Sequence, residues 1–414
     1  AGTVSSNSVD MSVDAGLSVS AGGAVGITSA SVDVSSSTSV AVSTGSLSLD
    51  SAAATEVFSG TSLTATTTTL EAHSAEDTAL TAGGRVTTTS ADATVNVGDT
   101  LDVSAASTRV RNSGVVDVFA KEGTRLTSTD MAMSVGDEVQ ILGGNEVVLT
   151  TETLALNADT SAGISARGMA MSVNDALTAT VGSATTVTST DVNVDAGDDI
   201  TLSGVDAAKV EMATVQVTTA SGLTAEVGTE TSVVSQALKV DVVSDTKVST
   251  ADMALEASGT MSVSGQESLT VSAGTVALDA AQDGTIRMGG DAVLAAGDGI
   301  RMASVTALDV VTGGTASVIS NELDVSVDSA VRGSMDSLSV GVSDDATVSV
   351  GDDLTVNAKD VRVRGEGDFD LRTSGAGTVS SNSVDMSVDA GLSVSAGGAV
   401  GITSASVDVS SSTS

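Results

Sequence analysis

Few side chains in this sequence are suited to catalysis or metal binding. The chain of 414 residues contains a single histidine, His73, and no cysteine. A metal site or an acid–base pair built on histidine needs further ligands or a partner close by, and the sequence contains neither a second histidine nor a thiol. We therefore interpret His73 as a solvated outward residue, and we expect no catalytic, cofactor-binding or metal-binding residues.

Neighbouring aspartates are the other candidate ligands. Asp198-Asp199, Asp344-Asp345 and Asp352-Asp353 each place two carboxylates side by side, and Ca²⁺ prefers clustered oxygen ligands. The GGxGxD motif of calcium-binding solenoids does not recur, however, so solvated corner charge is the favoured interpretation. We expect no cofactor apart from weak, non-specific Ca²⁺ binding at these acidic corners.

Two further residue types occur in alternating pairs. Four methionines alternate in the manner of core side chains on a strand: Met131, Met133, Met169 and Met171. Four arginines alternate in the same way: Arg109, Arg111, Arg362 and Arg364. We interpret the methionines as packing residues, whereas the arginines either offset acidic neighbours on one face or form contacts between fibres.

The composition argues against several classes of protein. With 53 acidic and 16 basic residues the net charge is −37, so the chain lacks the basic surface that nucleic-acid binding needs. It has no tryptophan or tyrosine, which argues against a carbohydrate-cleaving solenoid enzyme. No stretch of 18 apolar residues occurs, so no membrane span is expected. A hydrophobic content of 41% is too high for a disordered, highly charged chain.

Hydrophobic residues occur in pairs separated by one residue, which is the alternation of a half-buried strand. Successive pairs start 7 or 8 residues apart, so that three strands take 23 residues. Val9, Val32 and Thr55 lie 23 apart, as do Leu47 and Leu70. Stacked coils of this length pair such positions at the spacing of parallel strands. We therefore predict an all-β, three-faced β-solenoid with about 23 residues per coil.

The same alternation predicts which side chains fill the coil. Residues expected to point inward are Val9, Met11, Val32, Val34, Leu154, Leu156, Ile200 and Leu202. Residues expected to point outward are Asp10, Asp33, Ala155 and Thr201. Gly-Asp pairs are expected at corners, with a positive φ at the glycine: Gly98-Asp99, Gly136-Asp137, Gly197-Asp198, Gly297-Asp298 and Gly351-Asp352.

Two segments carry a family resemblance. SVDMSVDAGLSVSAGGAVGITSA (Ser8–Ala30) and DVNVDAGDDITLSG (Asp191–Gly204) resemble the β-prism of phage tail needles and type VI secretion spike proteins. The resemblance implies a trimer of intertwined chains without catalytic residues in the prism, and this trimer is the alternative architecture. The mixture of 7- and 8-residue steps favours a single-chain solenoid, in which each coil has its own three corners.

The chain also contains a long repeat. Ala1–Ser39 recurs without change as Ala376–Ser414, an offset of 375 residues. We interpret residues 1–375 as one tandem repeat unit of a continuous β-solenoid and residues 376–414 as the start of the next identical repeat, in a window cut from a longer polymer. Identity over so long a period is typical of repeat architectures.

These observations predict a structural protein rather than an enzyme. We expect a long extracellular filament or cell-surface appendage that associates only with itself, by end-to-end continuation and lateral bundling. The alternative is the stalk of an adhesin or spike that carries a separate tip domain. A distinct folded domain after the repeats would favour the stalk.

The axial length of the repeat distinguishes the two architectures. In a one-chain solenoid, 375 residues make about 16 coils and advance roughly 78 Å, with one strand left over that turns each repeat by about 120°. In a three-chain prism, about 49 strands advance roughly 235 Å. We expect fibre diffraction or cryo-EM of the filament to show the short repeat with this rotation, and an axial repeat near the longer value would contradict the one-chain prediction.

Overall fold

The computed structural model describes residues 2–158, 161–166, 168–173, 175, 177–181, 185–196, 198, 200–204, 208–219, 221 and 223–411. This part of the chain is all-β, with 79% of residues in strands and no helix. It forms a parallel β-solenoid of about 17 turns, with about 23 residues per turn. The predicted fold class is therefore confirmed. Among these residues there is no helix long and apolar enough to cross a membrane.

The chain folds as two compact units, Ala1–Asp206 and Ala207–Ser414. The strands of the first unit are β1 Gly2–Ser6, β2 Val9–Val13, β3 Leu17–Ser29, β4 Val32–Ser36, β5 Ser39–Ser51, β6 Thr55–Ser59, β7 Ser62–Thr66, β8 Thr69–Ser74, β9 Thr78–Ser90, β10 Asp92–Val97, β11 Thr100–Asn112, β12 Val116–Ala120, β13 Gly123–Val135, β14 Glu138–Gly143, β15 Glu146–Ala158, β16 Ser161–Ser165, β17 Gly168–Val173, β18 Leu177–Val181, β19 Thr185–Ala196 and β20 Ile200–Gly204. The strands of the second unit are β21 Ala208–Thr219, β22 Leu223–Ser235, β23 Ala237–Val242, β24 Thr246–Ala257, β25 Met261–Gly265, β26 Leu269–Ala280, β27 Gly284–Met288, β28 Ala292–Ser304, β29 Ala307–Thr312, β30 Thr315–Ser320, β31 Glu322–Val327, β32 Ala330–Val342, β33 Ala346–Val350, β34 Leu354–Gly365, β35 Phe369–Thr373, β36 Gly377–Ser380, β37 Ser383–Val388, β38 Leu392–Ala396, β39 Val400–Thr403 and β40 Ser406–Ser411. Short strands cover one face of a coil, and strands of 12 or 13 residues continue around a corner onto the next face.

Strands in the first unit pair in parallel with the strand one coil further along the chain. Val9 of β2 pairs with Val32 of β4, and Val32 pairs with Thr55 of β6. On another face, Leu47 of β5 pairs with Leu70 of β8. Each pair joins positions 23 apart, as the sequence predicts, so the coil of a single chain stacks on itself and the intertwined trimer does not describe this register.

Both units also contain local changes of register by one residue. In the first unit Val25 pairs with Leu47 at a separation of 22, and in the second unit Thr231 pairs with Met253 at a separation of 22. Met261 pairs with Gly284 at the usual separation of 23, but Gly284 pairs with Leu308 at a separation of 24. Ala316 pairs with Leu338 at a separation of 22. A longer or shorter corner takes up each difference, so the strands keep their inward and outward faces.

The core is a narrow stack of medium-sized aliphatic side chains. The largest fully buried aliphatic residues are Ile200, Val97, Val139, Val147 and Val173 in the first unit, and Ile300, Val276, Val327 and Val388 in the second. Small, branched side chains on stacked strands pack at a fixed spacing. The core also holds one aromatic ring, Phe369, which is 6% exposed and stacks between Ala346 and Leu392.

Most of the inward and outward predictions are confirmed. The buried residues among the predicted inward set are Val9, Val32, Val34, Leu154 and Ile200. Met11 and Leu156 are half-buried, and in the outward set Asp10 and Asp33 are exposed while Ala155 and Thr201 are half-buried.

The inward prediction is wrong for Leu202, which is 38% exposed. On the same strand, Ile200 stacks on Leu177 and is 2% exposed. Leu202 instead stacks on Ala179, whose methyl group covers little of a leucine side chain. Strand alternation alone does not report the size of the neighbour in the adjoining coil.

Buried hydroxyl groups of serine and threonine bond to the backbone at the corners. Ser59 at the end of β6 is 0% exposed. Its Oγ lies 2.8 Å from the carbonyl oxygen of Ser62 in its own corner and 3.0 Å from that of Thr38 in the coil below. Thr151 makes the same two kinds of contact. These hydroxyls add side-chain hydrogen bonds to corner carbonyl groups, one of which, that of Thr38, also accepts backbone hydrogen bonds from the N–H groups of Thr61 and Ser62.

Corner glycines are required by close approach between coils and not, as predicted, by a positive φ. None of the described glycines has a positive φ. A Cβ added to Gly136 would lie 2.6 Å from the carbonyl oxygen of Ser113 in the coil below. Gly98 and Gly351 meet the same obstacle at still closer range. A side chain at these corners would therefore push two coils apart.

Two of the predicted Gly-Asp corners differ from the others. Gly297-Asp298 lies within β28 and does not separate two strands, because the chain continues around this corner without leaving the ladder. Gly197 lies outside the described residues.

We expect Gly98→Ala to destabilise the chain by about 1–3 kcal/mol, because the added methyl group overlaps a backbone carbonyl that cannot move freely. Gly341→Ala is the matched control, since nothing lies within 4 Å of a Cβ added there. The control should be neutral or stabilising by about 0.4–1 kcal/mol. Thermal unfolding followed by circular dichroism measures both, and equal melting temperatures for the two variants would contradict the close-approach argument.

Candidate functional site

Corner aspartates bond to the backbone of the next coil. Asp345 precedes β33, and its Oδ1 accepts a hydrogen bond of 2.9 Å from the backbone N–H of Asp368. Asp368 precedes β35, and its Oδ1 accepts one of 2.8 Å from the N–H of Gly391. Each carboxylate thus satisfies a corner N–H that lies outside the strand ladder.

The first unit uses the same arrangement. Asp77 Oδ1 accepts a hydrogen bond of 3.1 Å from the N–H of Thr100 in the coil above. The backbone carbonyl of Asp77 accepts another of 2.9 Å from the N–H of Thr55 in the coil below. One aspartate therefore links three successive coils, which explains the frequency of aspartate immediately before strands.

Hydrogen bonding to the backbone of the next coil occupies some of the aspartates that were considered as calcium ligands. Asp353 Oδ1 accepts a 2.8 Å hydrogen bond from the next coil, so Asp345 and Asp353 are each engaged with backbone. Their neighbours Asp344 and Asp352 are exposed, and Asp199 lies outside the described residues. No group of three or more His, Asp or Glu side chains suited to a metal ion occurs in the described part of the chain. Weak Ca²⁺ binding at the corners stays a prediction.

His73 lies on an outer face, as predicted. It is exposed and stands in the strand ladder between Asp50 of one coil and Asn96 of the next. Neither Asp50 nor Asn96 carries a hydroxyl or thiol nucleophile that a histidine could activate.

The alternating methionines are packing residues, also as predicted. Met131, Met133 and Met169 are buried, and Met171 is half-buried. Met131 stacks on Leu154 in the next coil, where its flexible thioether fills the space beside a branched side chain.

The alternating arginines have different surroundings. The Nε atom of Arg362 lies 3.6 Å from Oδ2 of Asp385 in the next coil, so this arginine offsets an acidic neighbour. Arg109, Arg111 and Arg364 have no ion-pair partner among the described residues. For these three the alternative interpretation, a contact between fibres, stays open.

One carboxyl group has a shifted pKa. Asp241 lies beside Lys239, whose Nζ is 2.5 Å from Asp241 Oδ2, and it accepts a hydrogen bond from the hydroxyl of Ser264. Partial burial raises the pKa of Asp241, but the hydrogen bonds from Lys239 and Ser264 and the charge of Lys239 outweigh it and lower the pKa. The stabilisation is therefore present above the ordinary aspartate pKa and is lost as the pH falls through the lowered value.

A groove of about 840 Å³ crosses several coils of the second unit. Its charged lining residues are Glu256, Asp279, Arg301 and Asp328, and Arg301 lies 3.8 Å from Asp279. The lining contains serines but no histidine or lysine that could activate them. The groove therefore gives no support to a catalytic role.

The second copy of the repeated segment continues the solenoid of the second unit. Leu354 pairs with Gly377, and Val361 pairs with Val384, both at the separation of 23. Because the second copy begins at Ala376, the coil passes from one repeat into the next without a change of register.

The two copies differ in what covers them. Val32 stacks under Thr55 and is 2% exposed, whereas Val407, the same residue of the second copy, is 51% exposed. Val34 and its counterpart Val409 are 7% and 50% exposed. A coil without a described neighbour above it thus presents an apolar face that a further coil would bury.

Comparison with known proteins adds no relative. No known protein family, curated protein or solved structure matches this chain. The arguments that follow therefore rest on the geometry of the coils, their corners and the junction between repeats.

We expect Asp345→Ala to accelerate hydrogen exchange at the backbone amide of Asp368 and to cost about 1 kcal/mol of stability, because that amide loses its acceptor. Asp345→Asn keeps an oxygen at the same place and should retain most of the protection. Asp344→Ala is the control, since it removes the same charge from the neighbouring exposed residue. Equal exchange at Asp368 in the two alanine variants would show that the carboxylate does not serve this amide.

Proposed function

We propose that this chain is a structural protein that forms a long extracellular filament or cell-surface appendage, without catalysis. The observation that carries the proposal is the junction at Ala376, where the next repeat adds coils in the same 23-residue register. A chain of such repeats lengthens by stacking further coils, and no repeat needs a boundary or a cap of its own.

The coil chemistry supports a role in which length matters more than a single site. Backbone groups of each coil bond to the coils above and below, so a strand inside the stack has no unpaired edge. At the corners, aspartate carboxylates and buried hydroxyls add further hydrogen bonds to backbone groups. Each added coil therefore completes the hydrogen bonding of its predecessor, which favours growth in one dimension.

The outer surface fits a filament exposed to an aqueous medium rich in cations. The net charge of −37 keeps chains soluble and repels polyanions such as nucleic acids. Outward strand positions are mostly serine, threonine and aspartate. We accordingly place the protein outside the cell or on its surface, with copies of itself as partners.

The likeness of Ser8–Ala30 to tail needles and secretion spikes belongs to the same proposal. The resemblance implies a structural role without catalytic residues, and a β-solenoid of one chain suits such a role. It also suits the stalk of an adhesin, and the full sequence decides between the two, because a folded domain beyond the repeats would make the solenoid a stalk.

Chains with one, two and four repeats test the proposal. We expect electron microscopy to show thin filaments whose contour length grows by roughly 78 Å for each added repeat. Particles whose length does not grow with repeat number would contradict it. Antibody labelling of intact cells, compared with permeabilised cells, tests the location, and label that appears only after permeabilisation would exclude a surface filament.

A further inference from the structure

One face of the first unit has no acidic side chain at the central outward positions of its strands, although the chain is strongly acidic. Its one acid among the described residues is Asp130, which lies exposed at the edge of the face in the ladder of Arg85. This face is formed by the strand segments whose inward residues are Val40, Leu63, Val86 and Met131, and by their neighbours along the stack. Its outward positions in successive coils are Ala41, Ser43, Thr64, Thr66, Thr87, Thr89, Arg109, Arg111, Ala132, Ser134, Ala155, Asn157, Thr178 and Thr180. We call it the arginine face.

The cations of the arginine face stand on a platform of small side chains. Arg109 is stacked between Thr87 and Ala132, and the neighbouring Arg111 lies in the same strand. Arg85 lies exposed at the edge of this face. These arginines have no ion-pair partner among the described residues, so their charge is directed at whatever approaches the face.

A second face of the same unit carries the opposite charge. Asp10 stacks on Asp33, and Asp33 stacks on Glu56, at the first outward position of three successive coils. We call these three residues the acid ladder. All three are exposed and lack an ion-pair partner in the described part of the chain. Like charges directly opposite each other in a sheet are destabilising.

The junction between repeats compensates only the first member of the ladder. Asp385, the counterpart of Asp10 in the second copy, is paired with Arg362 of the preceding coil. Inside a chain of repeats, Asp33 and Glu56 therefore stay without a cation from their own chain. The arginine face cannot supply one, because it forms a different side of the coil.

We propose that the arginine face of one copy docks against the acid ladder of a second copy, which joins filaments side by side. Charge complementarity selects this occupant: guanidinium groups bind carboxylates in a paired geometry, and small residues around Arg109 and Arg111 let a second sheet face approach closely. A parallel neighbour shifted by about three coils, roughly 15 Å, brings the two sets together.

The docking proposal rests on the proposed filament, because only a chain of repeats makes the contact between two copies strong. A single exposed ion pair contributes little, and the net charge of each copy opposes association. At physiological ionic strength, however, charges further apart than about 8 Å are largely screened, so contacts at the docked faces decide the outcome. Tandem repeats present one arginine face and one ladder per repeat, and this multivalency raises the affinity of two filaments.

The test compares two double variants with the same change of charge. Arg109→Glu combined with Arg111→Glu should weaken lateral association of filaments at least about tenfold, since it places acids opposite the ladder. Lys247→Glu combined with Arg287→Glu is the matched control on the second unit, because both residues are exposed, have no ion-pair partner among the described residues and lie away from the acid ladder. It should leave lateral association near that of the unchanged chain. Light scattering, together with electron microscopy of filament pairs, measures the lateral association at low and at high salt concentration.

A charge reversal in a second chain adds a direct check. Asp33→Arg combined with Glu56→Arg should also abolish pairing, and mixing these filaments with Arg109→Glu/Arg111→Glu filaments should restore it. Equal losses of pairing in the Arg109→Glu/Arg111→Glu variant and in the Lys247→Glu/Arg287→Glu control, or no restoration on mixing, would overturn the docking proposal. Single filaments of normal length without lateral pairs at any salt concentration would overturn it too, while the proposed filament function would stand. If no filaments form, the filament proposal fails, and sedimentation of the 414-residue chain still reads the same contact through its self-association.

Discussion

The structure depends on one constraint, which is that every coil must bond to the coil above and the coil below at the fixed spacing of parallel strands. A coil of 23 residues meets it only if the corners lie as close together as the strands. That closeness explains why Gly136 cannot carry a side chain, since the carbonyl of Ser113 occupies the space. It also explains how Asp77 and Ser59 reach corner N–H and carbonyl groups of a neighbouring coil. Core, corner and surface composition follow from stacking at this distance.

The strands and their register could be predicted from the sequence, because alternation and spacing are properties of one chain segment and the next. Val9, Val32 and Thr55 occupy one ladder for this reason. The corners could not be predicted in the same way. The buried hydroxyl of Ser59 and the carboxylate bond of Asp345 depend on the position of a backbone group 21 to 23 residues away. Leu202 is exposed because its neighbour in the adjoining coil, Ala179, is small. The alternation of residues within one strand carries no information about the size of that neighbour.

The distribution of charge shows how a chain built from few residue types still gives the sides of a coil different surfaces. Stacking turns a residue type that recurs every 23 positions into a continuous line along one face. Aspartates and glutamate at Asp10, Asp33 and Glu56 give one face a line of negative charge, and the face with Arg109 and Arg111 has none. Recurrence of a residue type every 23 positions along the sequence therefore places that residue type on one side of the stack.

The direction of the hydrogen bonds has a mechanical consequence. In a stack of coils the ladder bonds run along the axis, so tension between the ends passes through every coil, but an end coil, which is bonded on one side only, is the one that can peel away strand by strand. When one coil peels away, the stack shortens by only about 4.8 Å, while the released chain of about 23 residues can extend to roughly 80 Å. Such a thread yields stepwise, dissipates work with each released coil, and can rewind from the intact remainder, which serves as its template.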